Sequence, residues 1–461
     1  MSLFSMLRVG ESGTKAAQYG VNTVSENIAN VNTPGYARRT ATQETGPSYR
    51  IGSLEFGMGA RTLSAQRVVD QTLTERTRRA SAGASYAESR SSHLARAEAV
   101  FADLDGAGLS PAIDRVFDSF TRLAAAPQDR TARAETLAAA TDFATEISRY
   151  GTDIRNERLA LNDEVRNEVD AINRITREVA ELNRTIGSSD PKPNDLLDRR
   201  DALLDDLASR VDIDVLQLDD GQVSVNLRGG PGLVYETHST PLSVQTNVNG
   251  MVEVHQLNAG ADQDLTAQIR TGSLGGILAT RDEDLATVET QIDQYAFDFA
   301  NAVNTVHAAG YGADGVTGRN LFTAPTQVAG AAAGMSVDAA VAGDPDAVAA
   351  ATDPLLLPGD NRNATALAAL KDQASVGGQT PGAGFRGVLQ EMGDRLASAS
   401  LSAESTGLAR DQLQTMRSSL EGVSLDEEMA ALIQYRTAYQ AAAQVIRTAD
   451  ELLQETINLK R

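Results

Sequence analysis

The 461-residue chain has no cysteine and no tryptophan, and aromatic residues make up only 4% of it. Without thiols there can be no disulfide, thiolate nucleophile or cysteine-ligated metal. A chain that travels unfolded also gains from lacking them. Basic residues are short too: 41 Lys and Arg face 62 Asp and Glu, for a net charge of -21. So acidic a surface repels phosphate backbones, and no nucleic-acid partner is expected. Long apolar runs are missing. The first thirty residues carry Arg8, Glu11 and Lys15 and no stretch long enough for a signal-peptide core or a membrane span. Neither a membrane partner nor export by a cleaved signal peptide is therefore expected. The four histidines, His93, His238, His255 and His307, are scattered along the chain without metal-ligand spacing. Asp219-Asp220-Gly221 lacks the ligand series of a calcium loop, and Gly229-Gly230-Pro231-Gly232 lacks the lysine of a phosphate loop. Both read as turns. No nucleophile, base and orienting group can be assembled, so the expectation is a non-enzyme with no catalytic residue, no cofactor and no metal.

What the chain has in quantity is Ala, Leu, Glu, Arg and Gln, the composition of long helices. The clearest is the last stretch, Gly422 to Arg461. Ser424 followed three residues later by Glu427 has the form of a capping box and sets a helix start at Ser424 or Leu425. Asp426, Glu427 and Glu428 crowd its first turn while Lys460 and Arg461 close its last, the order a helix dipole favours. That placement accounts for the Glu427–Glu428 pair without acid–base chemistry. Leu425, Leu432, Tyr439, Ile446 and Leu453 recur every seven residues, with Tyr435, Ala442 and Ala449 between them. The spacing is that of a coiled-coil seam or of an ordinary core helix. A matching stripe at the other end favours the seam: Leu3, Leu7, Gly10, Thr14, Ala17, Val21, Val24, Ile28 and Val31. Its members are small, so the helix needs a partner. It must end before Thr33-Pro34-Gly35-Tyr36, where Pro34 and Gly35 suit a type II turn.

Between Arg61 and Leu104 the pattern is helical but loose, with Val68, Leu73, Leu94, Val100, Phe101 and Leu104 as its larger apolar positions, and Asp105-Gly106-Ala107-Gly108 reads as a turn. Ser110 and Pro111 suit the N-cap and first position of a short helix ending near Pro127. The longest helix follows, from Arg130 to Ile186, with Gly187 where a C-terminal cap belongs. Asp195 to Arg210 forms another. At Val211 the period becomes alternating, and Ile213–Leu218 and Val223–Leu227 around Asp219-Asp220-Gly221 form a hairpin. Short strands continue at 233–235, 242–244 and 252–254. Helix returns at Ser273, with Leu278, Leu285, Val288, Ile292, Tyr295, Phe299 and Val306 on one stripe. Residues 320–384 read as irregular with short helices, and an amphipathic helix from Phe385 to Leu420 precedes the terminal one. The expected fold is mainly α with an inserted small antiparallel β domain, a terminal α-helical coiled coil and a long-helix bundle or rod. Expected divisions are 1-45 and 420-461 for the paired terminal helices, and 46-210, 271-324 and 380-419 for the bundle. Residues 211-270 form the β-rich insertion, and 325-379 an Ala/Gly-rich irregular segment packed on the bundle.

The segment Val24-Ser25-Glu26-Asn27-Ile28-Ala29-Asn30-Val31-Asn32-Thr33-Pro34-Gly35-Tyr36 closely resembles the N-terminal motif shared by bacterial flagellar rod, hook and hook-associated proteins. Leu425-Asp426-Glu427-Glu428-Met429 and Ile433-Gln434-Tyr435-Arg436-Thr437-Ala438-Tyr439-Gln440-Ala441-Ala442-Ala443 look like its C-terminal partner motif. In the middle, the stretches from Asn194 to Asp201, from Gly272 to Asp282 and from Gly359 to Ala364 resemble the hook-associated protein 1 family. The resemblance implies an extracellular structural protein of the flagellum, at the hook-filament junction, whose terminal helices form a coiled coil lining the inner tube. The implied assembly residues are Leu7, Val21, Val24, Asn27, Ile28, Asn30, Asn32, Pro34, Gly35 and Tyr36 at one end. At the other they are Leu425, Leu432, Tyr435, Tyr439, Ile446 and Leu453. Implied partners are further copies of the chain, hook protein, hook-associated protein 3 (FlgL) and the export chaperone FlgN on the C-terminal helix. Export through the flagellar type III apparatus is implied as well. The weakly self-sufficient ends are expected to order as subunits polymerise. The alternatives are another axial component, such as a hook or rod protein, which would carry a β-rich middle, or a secreted coiled-coil adhesin or effector, which would not need paired terminal motifs.

Overall fold

A computed structural model describes residues 3–51, 54–101, 108–258 and 260–459. Within them the chain is mainly α. The longest helix, α4 (Arg130–Ser188), has 59 residues and so runs about 90 Å at the usual helical rise. Asp129 caps its start, accepting from the Thr131 amide at 2.8 Å. Its apolar positions from Ile147 and Tyr150 through Leu161 and Val165 to Ile186 are buried along one side. Against α4 pack α3 (Leu109–Ala125), α5 (Asn194–Arg210), α6 (Gly272–Ala279) and α7 (Leu285–Ala309). A π-turn at Thr280–Asp284 joins α6 to α7. The centre of this body is aromatic: Phe143 stacks on Phe299 at 4.1 Å between centroids, and Phe117 and Phe322 meet Phe299 edge-on. The short α8 (Arg362–Ala369) closes it against α3 and α7. Two more long helices, α2 (Gln71–Glu98) and α9 (Pro381–Glu421), pack on each other and reach α4 at single points, Arg96 of α2 on Glu157 and Glu164 and Phe385 of α9 on the Tyr150 ring. The terminal helices α1 (Leu3–Ala29) and α10 (Leu425–Asn458) form a separate pair. The continuous apolar core of the body begins at Leu94 and ends at Ala399, so it includes nothing from either of them.

Strands come in two places. The first is a double hairpin, β1 (Arg39–Thr45), β2 (Ser48–Ile51), β3 (Leu54–Gly57) and β4 (Ala60–Arg67), in which β1 pairs antiparallel with β4 and β2 with β3. The second is the expected insertion, made of a four-stranded sheet, β5 (Ile213–Gln217), β6 (Val223–Leu227), β7 (Gly232–Tyr235) and β8 (His238–Ser239), and a three-stranded sheet, β9 (Leu242–Thr246), β10 (Val252–Asn258) and β11 (Ala261–Asp264). Three asparagines about three turns apart on α4 clamp it. The Asn162, Asn173 and Asn183 amides donate to the carbonyls of Gly250 in the β9–β10 turn, Leu242 at the start of β9 and Val223 at the start of β6, at 2.9, 2.8 and 2.7 Å. Each also accepts an amide in return, from Val252, Leu242 and Val223. Those bonds satisfy backbone groups that a helix surface would otherwise leave buried and unpaired.

Several local expectations are corrected. Residues 61–67 are strand and not loose helix, and the division expected at 45 and 46 falls inside the double hairpin. Strands β1 and β4 are Thr-, Arg- and Gln-rich and lack apolar alternation, so nothing in their pattern marks them. They are held by the ladder and by α1, whose Ser12 hydroxyl accepts from the Ala60 amide and whose Tyr19 hydroxyl accepts from the Ala65 amide. Helix α3 starts at Leu109 after Gly108, so Ser110 is not its cap. Gly187 lies in the last turn of α4, where a Cβ would meet Gln222 Nε2 at 2.4 Å; its smallness admits the hairpin and does not end the helix. The turn expected at Asp105-Gly106-Ala107, together with Leu104, Lys460 and Arg461, lies outside the described residues.

One buried group gives the body a pH dependence. His307 on α7 accepts the Ala349 amide on Nε2 at 3.0 Å, so Nδ1 carries the proton and donates to the Arg319 carbonyl at 2.7 Å. With both nitrogens committed to the neutral ring, burial pushes its pKa down to about 4. The unfolded chain binds a proton near the ordinary value, about 6.5, so between the two values it holds more protons than the native state. The stabilisation is complete above about pH 6.5 and is lost as pH falls to about 4, a difference of about 3 kcal/mol. Urea midpoints measured from pH 7.5 to 4.5 are expected to fall less steeply in His307→Gln than in the wild type. Parallel curves would contradict this.

Candidate functional site, a polar joint beneath the terminal helices

Helices α1 and α10 run antiparallel, and glycine sets their distance. A Cβ on Gly10 would lie 2.6 Å from Ile446 Cγ1, and one on Gly20 would lie 2.5 Å from the Tyr435 ring. Val24 is buried in this pair, and Leu7, Val21, Ile28, Leu432, Tyr435, Ile446 and Leu453 are half-buried. Two seam residues stay out: Leu425 is 49% exposed and Tyr439 is 44% exposed. Leu425 lies past the end of α1, where Asn27 already meets Glu428. Beside Tyr439 the helices are drawn close by Ala442 on Gly13 and Tyr435 on Gly20, which leaves no room for a second ring. The outward side of α10 is consequently apolar, with Leu425, Met429 and Ile433 exposed one turn apart.

The motif after α1 turns the chain back under this pair. Thr33 accepts the Tyr36 amide at 3.2 Å across Pro34–Gly35, and Gly35 takes φ +79°, the left-handed value that the third position of a type II turn requires. Asn30 accepts from the Thr33 hydroxyl at 3.1 Å and donates to the Glu26 carbonyl, which braces the turn, while Asn32 and Pro34 are exposed. Asn27, 1% exposed, is the hub. Its carbonyl oxygen accepts the Arg39 amide at 3.0 Å and the Tyr36 hydroxyl at 2.8 Å; its NH2 donates to the Arg39 carbonyl at 2.9 Å and to Glu428 at 3.0 Å. All four of its hydrogen-bonding positions are thus used. Burial pushes the Tyr36 hydroxyl up to about 12, so it donates as the neutral phenol.

The carboxylates at the start of α10 are therefore not mere helix-dipole decoration. Ser424 takes the N-cap backbone conformation, but its side chain makes no capping bond. Glu427 instead accepts from Arg38 at 2.8 Å, and Glu428 from Arg38 Nε at 2.7 Å. The Arg38 amide donates to the Glu421 carbonyl at the end of α9. From here a chain of nine alternating charges crosses the base of the pair: Glu26, Arg39, Asp198, Arg67, Asp201, Arg78, Asp205, Arg417 and Glu421. Its backbone is the face of α5 on which Asp198, Asp201 and Asp205 stand at helical spacing. The arginines reach it from β1, β4, α2 and α9. Burial pushes the Asp198 carboxyl up, against the opposing pull of Arg67 and Arg39. Burial also works against the Arg417 charge, but Asp205 and Glu421 outweigh it and its pKa is raised. Buried pairs of this kind add little net stability, yet removing one partner is costly, so they fix one arrangement of the elements. What the joint can do is set the angle of the terminal pair on the body.

Sequence reading selected Asn27 and Tyr36 but passed over Arg38, Arg39, Glu428, Glu421 and the α5 aspartates. The available signal was Arg38-Arg39 directly after one terminal motif and Glu427-Glu428 within the other.

Three family models match along the chain. Residues 94–322 match the flagellar hook-associated protein FlgK helical domain, 7–36 the flagella basal body rod protein and 418–459 the flagellar basal body rod FlgEFG protein C-terminal. Flagellar hook-associated protein 1 of Salmonella typhimurium is 25% identical over 553 residues, covering 99% of this chain and 100% of that protein. Its namesake in Bacillus subtilis is 27% identical over 506 residues, covering 99% of this chain and 98% of that protein. The flagellar hook junction protein FlgK from Burkholderia pseudomallei has the same fold over 75% of this chain and 100% of its own, with a TM-score of 0.68 at 17% identity. A terminal helix pair jointed to a separate body, with both of its helices matching flagellar rod families, defines an axial component of the bacterial flagellum. The central helical region matches the family of the flagellar hook-associated protein FlgK, and the whole chain is similar to flagellar hook-associated protein 1.

Proposed function

We propose that the chain joins hook to filament as a structural element of the flagellum, acting by assembly and not as an enzyme. The observation that carries this is the terminal pair, which stands outside the body's core while α10 leaves Leu425, Met429 and Ile433 exposed. A continuous apolar stripe on a single chain marks an interaction surface, and copies in a ring or helix would cover it. Covering it couples the ordering of both ends to polymerisation. The relatives' names, hook-associated and hook junction, support hook protein as one neighbour; hook-associated protein 3 (FlgL) is the neighbour proposed on the other side. The same stripe suits a chaperone of the FlgN kind before export through the type III apparatus. Of Leu432, Tyr439 and Ile446, Tyr439 is free to serve chaperone and neighbour in turn, while Leu432 and Ile446 become available to a chaperone only when α10 is off α1, so chaperone and assembly compete for the helix. Deleting the gene, imaging the cell surface by electron microscopy and assaying flagellin in the medium tests the reading. Hooks of normal length, no filaments and spilled flagellin are expected. Loss of hooks would move the chain to the rod or hook, and intact filaments would reject an axial role.

A further inference from the structure

The outer face of the β9–β11 sheet carries chemistry that assembly does not use. Side chains alternate along β10, so Val252, Val254 and Gln256 enter the core while Glu253 and His255 share the opposite face. The antiparallel register sets Asp264 of β11 directly across from His255. One ligand atom from each of Glu253, His255 and Asp264 lies within 4.8 Å of the others. We propose that these three residues bind a divalent transition-metal cation, zinc being the natural match for one imidazole and two carboxylates.

The second observation is His255 itself, which is 8% exposed. Its Nδ1 lies 3.1 Å from Asp262 Oδ2, so the carboxylate holds the proton on that nitrogen. Gln245 donates to the same Asp262 oxygen at 2.7 Å and fixes it in place. Nε2 is left with its lone pair, buried and without a hydrogen-bond partner. It faces Glu253 Oε2 at 3.5 Å, and Asn247 occupies the other Glu253 oxygen. A lone pair and a carboxylate oxygen repel unless a cation stands between them. A proton shared between them would draw the atoms to about 2.7–2.9 Å. Zinc at about 2.0–2.2 Å from each, with a tetrahedral angle, spans roughly 3.4 Å, which is the spacing seen. A carboxylate behind the ligating imidazole is the usual second layer of such sites. Glu253 and Asp264 also line a cavity of about 740 Å³, which gives the ion a way in and leaves a position for water. Sequence spacing could not show the site, because its ligands meet across a strand pair. The inference rests on the β insertion alone and is independent of the junction reading.

The test uses the untagged full-length chain, dialysed against a chelator, exposed to zinc chloride and freed of loose metal by gel filtration. One zinc per chain is expected, with a rise in melting temperature on loading. His255→Ala and Glu253→Gln should each retain less than a tenth of the wild-type zinc, while Asp262→Asn weakens binding about tenfold. His238→Ala, with its histidine on the other sheet, should load fully. Circular dichroism checks that each variant is folded, and Glu253→Gln decides if His255→Ala is not. A wild type that retains no zinc, as a protonated His255–Glu253 pair would give, overturns the proposal. So does full loading of folded Glu253→Gln.

Discussion

Asn27→Leu is expected to abolish swimming when it replaces the wild-type gene, although the side chain is small and lies far from the aromatic centre of the body. Its amide occupies the one point where α1, the turn after it and α10 all meet. Leucine is nearly isosteric but offers no hydrogen bond, so the Arg39 amide and carbonyl, the Tyr36 hydroxyl and one oxygen of Glu428 lose a partner together. Each such group left buried costs about 1–3 kcal/mol, and even with relaxation the sum is several kcal/mol. The loss falls on the seating of the terminal pair, because the body's core contains no residue from α1 or α10. Limited proteolysis of the purified chain should therefore release both ends at least ten times faster than in the wild type, with the body's melting temperature almost unchanged. Asn27→Asp should fall between: it keeps the acceptor for Arg39 and Tyr36 but sets a second carboxylate against Glu428. Wild-type swimming by Asn27→Leu would mean that the hub is not needed for assembly.

How much of this was legible beforehand depended on whether a feature repeats. The helices of the body and the two seams repeat an apolar residue every three or four positions, and their positions follow from that period. The insertion is visible as alternation. Strands β1 and β4 have neither mark, since Thr40, Thr42, Gln43 and Ser64 are stabilised by a backbone ladder laid against α1 and not by an apolar face. The joint was half legible. Asn27, Pro34, Gly35 and Tyr36 stand in a motif, but the partners that give them meaning lie far along the chain, Glu428 being 401 positions from Asn27. The Glu427–Glu428 pair shows why local rules mislead there: a helix N-terminus accounts for acidic residues so well that no further reason is sought. Asp198, Asp201 and Asp205 present the same difficulty on α5, where an acidic face reads as solvated until four arginines converge on it.

Gly20→Val is expected to separate α1 from α10 outright, and a second substitution should partly reverse it. The Cβ that any other residue brings would stand 2.5 Å from Cδ1 and Cε1 of Tyr435, and an aromatic ring cannot flex away as an aliphatic chain end can. Gly20→Ala gains about 1 kcal/mol of helix propensity. Overpacking against the ring opposes that by about 1–3 kcal/mol, so the balance is a loss, and the larger Val deepens it. Tyr435→Ala alone also weakens the pair, by opening a gap where the ring sat. In Gly20→Ala/Tyr435→Ala, however, the new methyl group enters that gap, and the double variant should swim better than the sum of the two single losses allows. Gly83→Ala on α2 serves as the control for propensity, since a Cβ there meets nothing within 4 Å. It should raise stability by up to about 1 kcal/mol and leave swimming intact. If Gly20→Ala and Gly20→Val behave like Gly83→Ala, the close approach at Tyr435 is not what holds the terminal helices together. If instead the losses at positions 20 and 435 cancel, the seam acts through that contact, and the glycine is there to admit the ring.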